Sequence, residues 1–384
     1  MSLFRQQRAI DFLDAPQLLA DRSRSRNNSP VTSATALRHS AVWACRRLRA
    51  DLVSTLPTNV YRRIDGVSVE VPKPAFFDIP GGESVDWCEW AYSTTDDLDA
   101  EGNTFGLIAS KDNQGIPRQI DLVPAASVSV RGNGSVITEF RIGGTAYDPA
   151  DVWHEKQHTR SGLPVGLSPI AHAAVGIGGY LSAQEFARDW FSGGGIPAAR
   201  LRNSDKIVPA AEAEEIKARF KATVGTGDLF VTGKDWEYET IAAKASEASF
   251  IEQMQFSIVD LCRFLGVPAD MIDAESSSGS ITYANVTQRN LQLLILHLNP
   301  ALRRREATFS RRLLPAPRVM KFTRGALLEM DLRSRYEAWK VGIDARFIAP
   351  SEARMGEDRP PFTTEQLAEF NSLSKAPAPI GATT

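Results

Sequence analysis

The stretch "DVWHEKQHTR", residues 151–160, decides between two folds. Inside it, His154-Glu155-Lys156-Gln157-His158 fits the pattern H-E-x-x-H. On a helix, residues four apart stack on one face with Cβ atoms about 5–6 Å apart. Both imidazoles then reach a zinc ion at roughly 2.0–2.1 Å, and the glutamate activates a water. On a strand the same histidines lie about 13 Å apart, at ~3.3 Å per residue, and cannot share a metal. The stretch is bounded by Pro149 and by Ser161-Gly162-Leu163-Pro164, breakers on both sides. Val152 and Trp153 favour a strand. His158 runs into Thr-Arg-Ser-Gly, where a zinc helix would carry apolar residues. Glu185 stands at a possible third-ligand distance, but no further histidine completes a longer zinc motif. The stretch reads as a strand with two strand or loop histidines. A zinc metallopeptidase is the alternative it leaves.

Upstream, the pattern is helix, hairpin, helix, then short strands. Residues 1–32 end in "DRSRSRNNSP" and a short polar continuation, and are expected to form a mobile arm. "SATALRHSAVWACRRLRADLVSTLP" places Ala41, Val42, Cys45, Leu48, Leu52 and Leu56 mostly at three- and four-residue steps, which predicts one helix stopped by Pro57. "TNVYRRIDGVSVEV" is strand, Asp-Gly turn, strand. A helix ending near Gly102 precedes "FGLIAS", "RQIDLV", "SVSVR", "VITEFRI" and "DVWHEKQ", a β-rich block. Downstream, a helix is expected from about Pro169 to Phe191. A small α/β insertion follows: "IPAARLRN" as a strand, a helix, and "GDLFVTGKDWEYETI" as a hairpin. "SEASFIEQMQFSIVDLCRFLGVP" is a long amphipathic helix. "ADMIDAESSSGSIT" is a loop. A long helix is expected from about Tyr283 to Leu314, interrupted near Pro300, then a strand in "PAPRVMKF", helix to about Gly342, and the tail "KAPAPIGATT".

Bulk properties exclude more than they assign. A chain of 384 residues suggests two or three domains. Formal net charge is −2, which argues against a tight general DNA binder. Three cysteines, Cys45, Cys88 and Cys262, form no C-x-x-C pair and are expected to be buried free thiols. No run of 18 apolar residues predicts a membrane span, and the N-terminal residues lack the apolar stretch of a secretory signal. "GIGGYL" (176–181) lacks dinucleotide-binding spacing, and no phosphate-binding P-loop is present. "GLSPI" around Ser168 lacks the second glycine of a nucleophile elbow. Asp96, Asp97 and Asp99 have no Ca²⁺-loop pattern around them and read as a solvated acidic loop. No cofactor and no catalytic site are expected.

Several phrases, taken in order, resemble the tailed-phage portal protein family of siphophage type. They are "HSAVWACRRLRADLVSTLPTNVYRR", "EGNTFGLIASKDNQGIPRQIDLVPAASVSV", "DVWHEKQHTRSGLPVGLSPIAHA", "FSGGGIPAARL", "EASFIEQMQFSIVDLCRFLGVPADMI" and "PSEARMGEDRPPF". They span roughly residues 33–362. The resemblance implies an α+β ring subunit with a β-rich wing, two stem helices, a small α/β clip insertion, a long wing helix and a short helical crown. It implies a wing at 33–168, a stem helix at 169–193, a clip at 194–246 and a second stem helix at 247–267. A tunnel loop at 268–282, a long helix with a wing return strand at 283–333, and a crown with a C-terminal tail at 334–384 complete it. It further implies a homo-oligomeric ring, typically a dodecamer, at one capsid vertex in the virion, assembled in the host cytoplasm. Double-stranded DNA passes through such a ring. Its partners are the major capsid protein, the terminase large subunit and a head–tail adaptor. Another head–tail structural ring protein is a further alternative, although adaptors are usually shorter.

Two clusters carry the expected sites. In the loop, Asp270, Asp273 and Glu275 stand with Ser276, Ser277, Ser278, Gly279 and Ser280 and without Lys or Arg. Acidic charge repeated around a ring repels phosphates, whereas basic charge would hold DNA by counterion release. The other reading is an ordinary exposed acidic loop. In "RRREATFSRR" (303–312), Arg304, Arg305, Arg311 and Arg312 partly share a helix side. They are candidates for DNA contact, or for a solvated face or intersubunit ion pairs. Arg46, Arg47 and Arg49 read as surface or interface groups.

Overall fold

The computed structural model describes residues 10–11, 31–134, 136–192, 199–203, 208–225, 236–240, 258–274, 283–325, 332–357 and 359–374. The chain is mixed helix and sheet and divides into two units, Met1–Arg324 and Gly325–Thr384. Within the expected arm, β1 (Ile10–Asp11) is a short strand paired with Gly132 and Arg131, so those two residues belong to a sheet.

The expected first helix is two pieces. A one-turn helix, Ser33–Ala36, is capped by Thr32. Helix α1 (Ser40–Ser54) begins after His39, whose backbone is extended and whose Nδ1 accepts the N–H of Ala41 at 3.2 Å. That side chain satisfies an orphan N–H, so the chain starts a new helix there. Strands β2 (Thr58–Ile64) and β3 (Val67–Val71) pair across Asp65-Gly66. Both turn residues have positive φ, 48° and 85°, which is why the turn is Asp-Gly.

Helix α2 (Trp87–Glu101) opens on Asp86, which accepts the N–H of Glu89 at 2.8 Å, and closes on left-handed Gly102. A Cβ on Gly102 would stand 2.1 Å from the carbonyl oxygen of Leu167, so both its φ and its neighbour require glycine. Strands β4 (Asn103–Lys111), β5 (Pro117–Val123), β6 (Val128–Asn133), β7 (Val136–Ile142), β8 (Thr145–Tyr147) and β9 (Val152–Lys156) follow. They form a three-stranded sheet ordered β5-β4-β9 and a four-stranded sheet ordered β1-β6-β7-β8. The short β8 is an addition to the expected strands.

Helix α3 (Pro169–Ser192) leads to β10 (Ala199–Asn203), α4 (Ala210–Gly225) and β11 (Trp236–Thr240). β11 pairs antiparallel with β10, where the sequence suggested a local hairpin. Residues 226–235, the rest of that hairpin, lie outside the described residues. Of the second amphipathic helix, α5 (258–265) is described. Helix α6 (Tyr283–Gln292) passes through a π-helical stretch, Leu293–Leu298, into α7 (Asn299–Arg312). The interruption is therefore that stretch. Pro300 sits directly after it, in the first turn of α7, and has no N–H to give the preceding helical carbonyls. Strand β12 (Arg318–Phe322) returns to pair with β2, giving the order β12-β2-β3.

The second unit holds α8 (Leu332–Asp344), α9 (Pro350–Gly356) and α10 (Thr364–Ser374). Helix thus continues well beyond Gly342.

Among the described residues, a core of Phe105, Val128, Val130, Phe140 and Val152 fills the β-rich block, and two more tie the helices to it and to each other. Trp87, Trp90, Trp153 and Phe309 meet with ring centroids 5.8–6.1 Å apart, joining α2, β9 and α7. Such pairs add about 0.5–1.5 kcal/mol each beyond burial. Elsewhere Val42, Cys45, Ala173, Ile177, Leu261 and Leu265 gather α1, α3 and α5 into one cluster.

Candidate functional site

The H-E-x-x-H stretch is a strand and a turn. β9 ends at Lys156, and His158 lies beyond it in a left-handed backbone conformation, φ 53°. Strand alternation sends Glu155 and Trp153 to one face and His154 and Val152 to the other. His154 stacks on Phe105 with centroids 4.7 Å apart, and its Nε2 lies 3.1 Å from the Asn103 side-chain oxygen. Burial, with Lys156 and Arg312 nearby, pushes the His154 pKa down to about 3. Glu155 is only 4% exposed and faces Arg305. A neutral, partly buried histidine stacked on Phe105 and an ion-paired glutamate on opposite strand faces do not make a zinc site. Among the described residues, no group of three or more His, Cys, Asp or Glu side chains is placed to hold a metal ion.

Arg305 corrects the expected exposed basic run. Its Nε lies 3.0 Å from Glu155 Oε1, and Nη1 and Nη2 donate to Thr95 and Thr94 Oγ1 at 2.6 Å each. The pair is 5% and 4% exposed at its side chains. Burial pushes the Glu155 carboxyl up, with Arg305 pulling it down. Arg312 stacks over Trp153 at 4.8 Å and donates to the carbonyl oxygens of His154 and Val152 at 3.0 Å. Arg304 and Arg311 are exposed. The inner two arginines tie α7 to β9 and α2. The outer two are the ones a phosphate can reach.

A similar correction applies near α1. Arg46 and Arg49 are buried, while Arg47 is exposed. Arg46 pairs with Asp96 at 2.5 Å and Arg49 with Asp99 at 2.7 Å. Asp96, Asp97 and Asp99 are therefore helix residues of α2, not a solvated loop. Asp97 accepts from Thr104 Oγ1 at 3.0 Å, and burial raises its pKa to about 6. Charges on two facing helices, hydrogen-bonded and withdrawn from water, join α1 to α2. Of the cysteines, Cys45 and Cys262 are buried with sulfurs 3.9 Å apart, whereas Cys88 is exposed.

The "GN" and "GLSP" phrases meet in space. Asn103 donates through Nδ2 to the carbonyl oxygens of Glu101 and Gly166, both at 2.9 Å, and accepts the N–H of Gly166 at 2.7 Å. Ser168 Oγ donates to Ala100 O at 2.6 Å and accepts the Ala171 N–H at 3.0 Å. The serine of "GLSPI" thus caps α3 onto the end of α2. It positions a helix.

α3 and α5 pack together with α1, and the chain leaves α5 at Gly266 toward residues 268–282, expected to be a loop. The described base of that loop is Pro268–Ala274, with a short 3-10 turn at Ala269–Ile272. Asp270 pairs with Arg289 of α6 at 3.2 Å, so it does not present a free charge. Asp273 is exposed, with φ 55°. Glu275, Ser276, Ser277, Ser278, Gly279 and Ser280 lie outside the described residues. Among the described residues, no helix is long and apolar enough to cross a membrane.

Comparison with known proteins agrees with the ordered phrases. A family model described as "Phage portal protein" matches residues 40–358. A probable portal protein of Streptomyces phage phiC31 is 26% identical over 366 residues, covering 86% of this chain and 77% of that protein. The portal protein of Enterobacteria phage HK97 is 24% identical over 359 residues, covering 89% and 83%. In structure, an HK97-family phage portal protein from Corynebacterium diphtheriae aligns with a TM-score of 0.60 and 21% identity, over 78% of this chain and 99% of that one. A chain of the neck of a native gene transfer agent particle, computed with C12 symmetry, aligns at 0.57 and 17% identity, over 91% and 99%.

Proposed function

The chain belongs to the phage portal protein family, and from that premise we propose that its copies close into a ring, a dodecamer, at one vertex of a virion capsid. The ring is a channel for double-stranded DNA during packaging and ejection. It is also a platform for the terminase large subunit, a head–tail adaptor and the surrounding major capsid protein. It assembles in the host cytoplasm. The role is positional: a hole, a symmetric rim and a constriction. The observation that carries this reading is the family match across residues 40–358. The C12 symmetry of the gene transfer agent neck supports twelve subunits.

In this reading, residues 33–168 with β12 form the wing. The pairing of β12 with β2 supports it, because it returns the chain to the first sheet after the helices. α3 and residues 247–267 are the stem, supported by the core that α3 shares with α5. Residues 194–246, with the β10–β11 pair, are the clip. α6 and α7 are the long wing helix, and residues 334–384 are a short crown and tail.

Loop 268–282 forms the constriction. Asp273 and Glu275 supply its repulsive charge. Arg304 and Arg311 supply the outward basic surface for DNA wound near the wing. In a packaging reaction, replacing Asp273 and Glu275 by Lys should lower packaged DNA length or yield. Unchanged length and yield would remove the constriction from the account.

A further inference from the structure

The second unit has an apolar groove that its own helices leave open. Its cavity of about 410 Å³ lies between α8, α9 and the segment leading into α10, within the ~300–1,000 Å³ typical of ligand sites. Tyr336, Trp339, Phe362 and Phe370 supply its aromatic walls. Phe370 is 61% exposed and Tyr336 43%, too much aromatic surface for a finished core.

Of the charged side chains that line it, Lys340, Asp344 and Arg359 are exposed, while Glu357 and Arg354 are held against the groove's own residues. Glu357 accepts from Arg335 Nη2 and from Trp339 Nε1, both at 2.9 Å. Arg354 lies over the Phe362 ring at 3.8 Å and donates to the Pro360 carbonyl oxygen at 2.9 Å. The aromatic walls suit an apolar ligand, and the exposed charges of both signs stand beside them. Aromatic grooves of this kind take extended proline-bearing segments, whose fixed φ reduces the entropy lost on docking.

Such a segment follows α10 directly: Ala376-Pro377-Ala378-Pro379-Ile380 carries no charge. Phe370 lies four residues before the end of α10 at Ser374, about 6 Å along the axis at ~1.5 Å per residue. Pro377 follows three residues after Ser374, a reach of about 10 Å at ~3.3–3.6 Å per residue. Pro377 can therefore fold back beside Phe370 of its own subunit. A single linking residue, Lys375, also gives a high effective concentration, in the ~mM range for short linkers. We propose that the groove between α8, α9 and α10 is a docking site for a proline-bearing extended segment, and that its occupant is Ala376–Ile380 of the same chain.

The test uses the full chain, a chain ending at Ser374, and a fluorescent peptide of sequence KAPAPIGATT, read by anisotropy. The shortened chain should bind the peptide, and the full chain should bind it at least ~10-fold more weakly, because its own tail competes at about mM effective concentration. Replacing both peptide prolines by Ala should weaken binding on the order of 10-fold. The exposed substitution Phe370→Ser should abolish it without unfolding the unit. No binding to the shortened chain up to about 1 mM overturns the site, since a tail at that effective concentration would not stay docked. Equal binding by full and shortened chains overturns the occupant. Binding that ignores Phe370→Ser overturns the location.

Discussion

Replacing Arg305 by Ala separates a structural arginine from a DNA-binding one. The guanidinium makes one contact to Glu155 at 3.0 Å and two hydrogen bonds to Thr94 and Thr95 at 2.6 Å, and lies 5.1 Å from the Phe309 ring centroid. At an effective dielectric constant of about 20, a pair 3 Å apart attracts by roughly 5 kcal/mol before desolvation. Desolvation consumes much of that, but truncating one partner leaves the other buried and unpaired, at a cost of about 3–5 kcal/mol. Glu155 Oε2 already lacks a partner, so nothing is in place to receive the freed charge. Arg305→Ala should thus lower the first unit's melting temperature on the order of 10 °C, at ~2–4 °C per kcal/mol. Thermal unfolding followed by tryptophan fluorescence reads it, because Trp87, Trp90 and Trp153 surround Phe309. Glu155→Met with Arg305→Met should recover most of the loss. Arg304→Ala and Arg311→Ala should change stability by less than ~0.5 kcal/mol. A loss below ~1 kcal/mol for Arg305→Ala would refute the reasoning, given that mechanism.

Three further outcomes follow from the geometry. Burial lowers the pKa of His39 to about 4 and of His154 to about 3, from 6.5. Their stabilising contribution is complete above 6.5 and fades as pH falls, by about 2 kcal/mol each between pH 7 and pH 5. Asp97, raised to about 6 from 3.8, works the other way and returns about 1.3 kcal/mol over that range. Urea unfolding at the two pH values should therefore show a net loss of roughly 2–3 kcal/mol from these groups. Stability that rises on acidification contradicts this balance. Gly102→Ala meets both a positive φ and a carbonyl oxygen at 2.1 Å; it should cost more than ~1 kcal/mol, measured by denaturant midpoint. Asn103→Ala removes three hydrogen bonds from its side chain to the backbone and should cost about 1–3 kcal/mol, with hydrogen exchange rising at Gly166.

What the sequence made legible was local. Asp65-Gly66 needs positive φ twice, and the hairpin followed from it. Pro149 and the Gly162 turn confined 151–160 to strand length, and β9 is a strand. Hydrophobic spacing placed α1 and the described part of the second amphipathic helix, α5. The ion pairs were not legible, because Arg305 and Glu155 lie 150 residues apart and Arg49 and Asp99 lie 50 apart. One signal was available: strand alternation sets Glu155 on the same face as Trp153, so a charge on a tryptophan-bearing face requires a partner. The break at His39 escaped because histidine is an uncommon cap. The helices beyond Gly342 had visible starts. Pro350 begins α9, with Glu352 reaching back to the Ala349 N–H at 2.8 Å, and Thr363 with Gln366 opens α10.

The most direct test of the central claim is electron microscopy of purified assemblies of the chain, averaged without imposed symmetry. The account predicts closed rings of about twelve subunits, with an axial hole wide enough for a DNA duplex. Closed assemblies whose axis is filled by folded protein, or too narrow for a duplex, would contradict it.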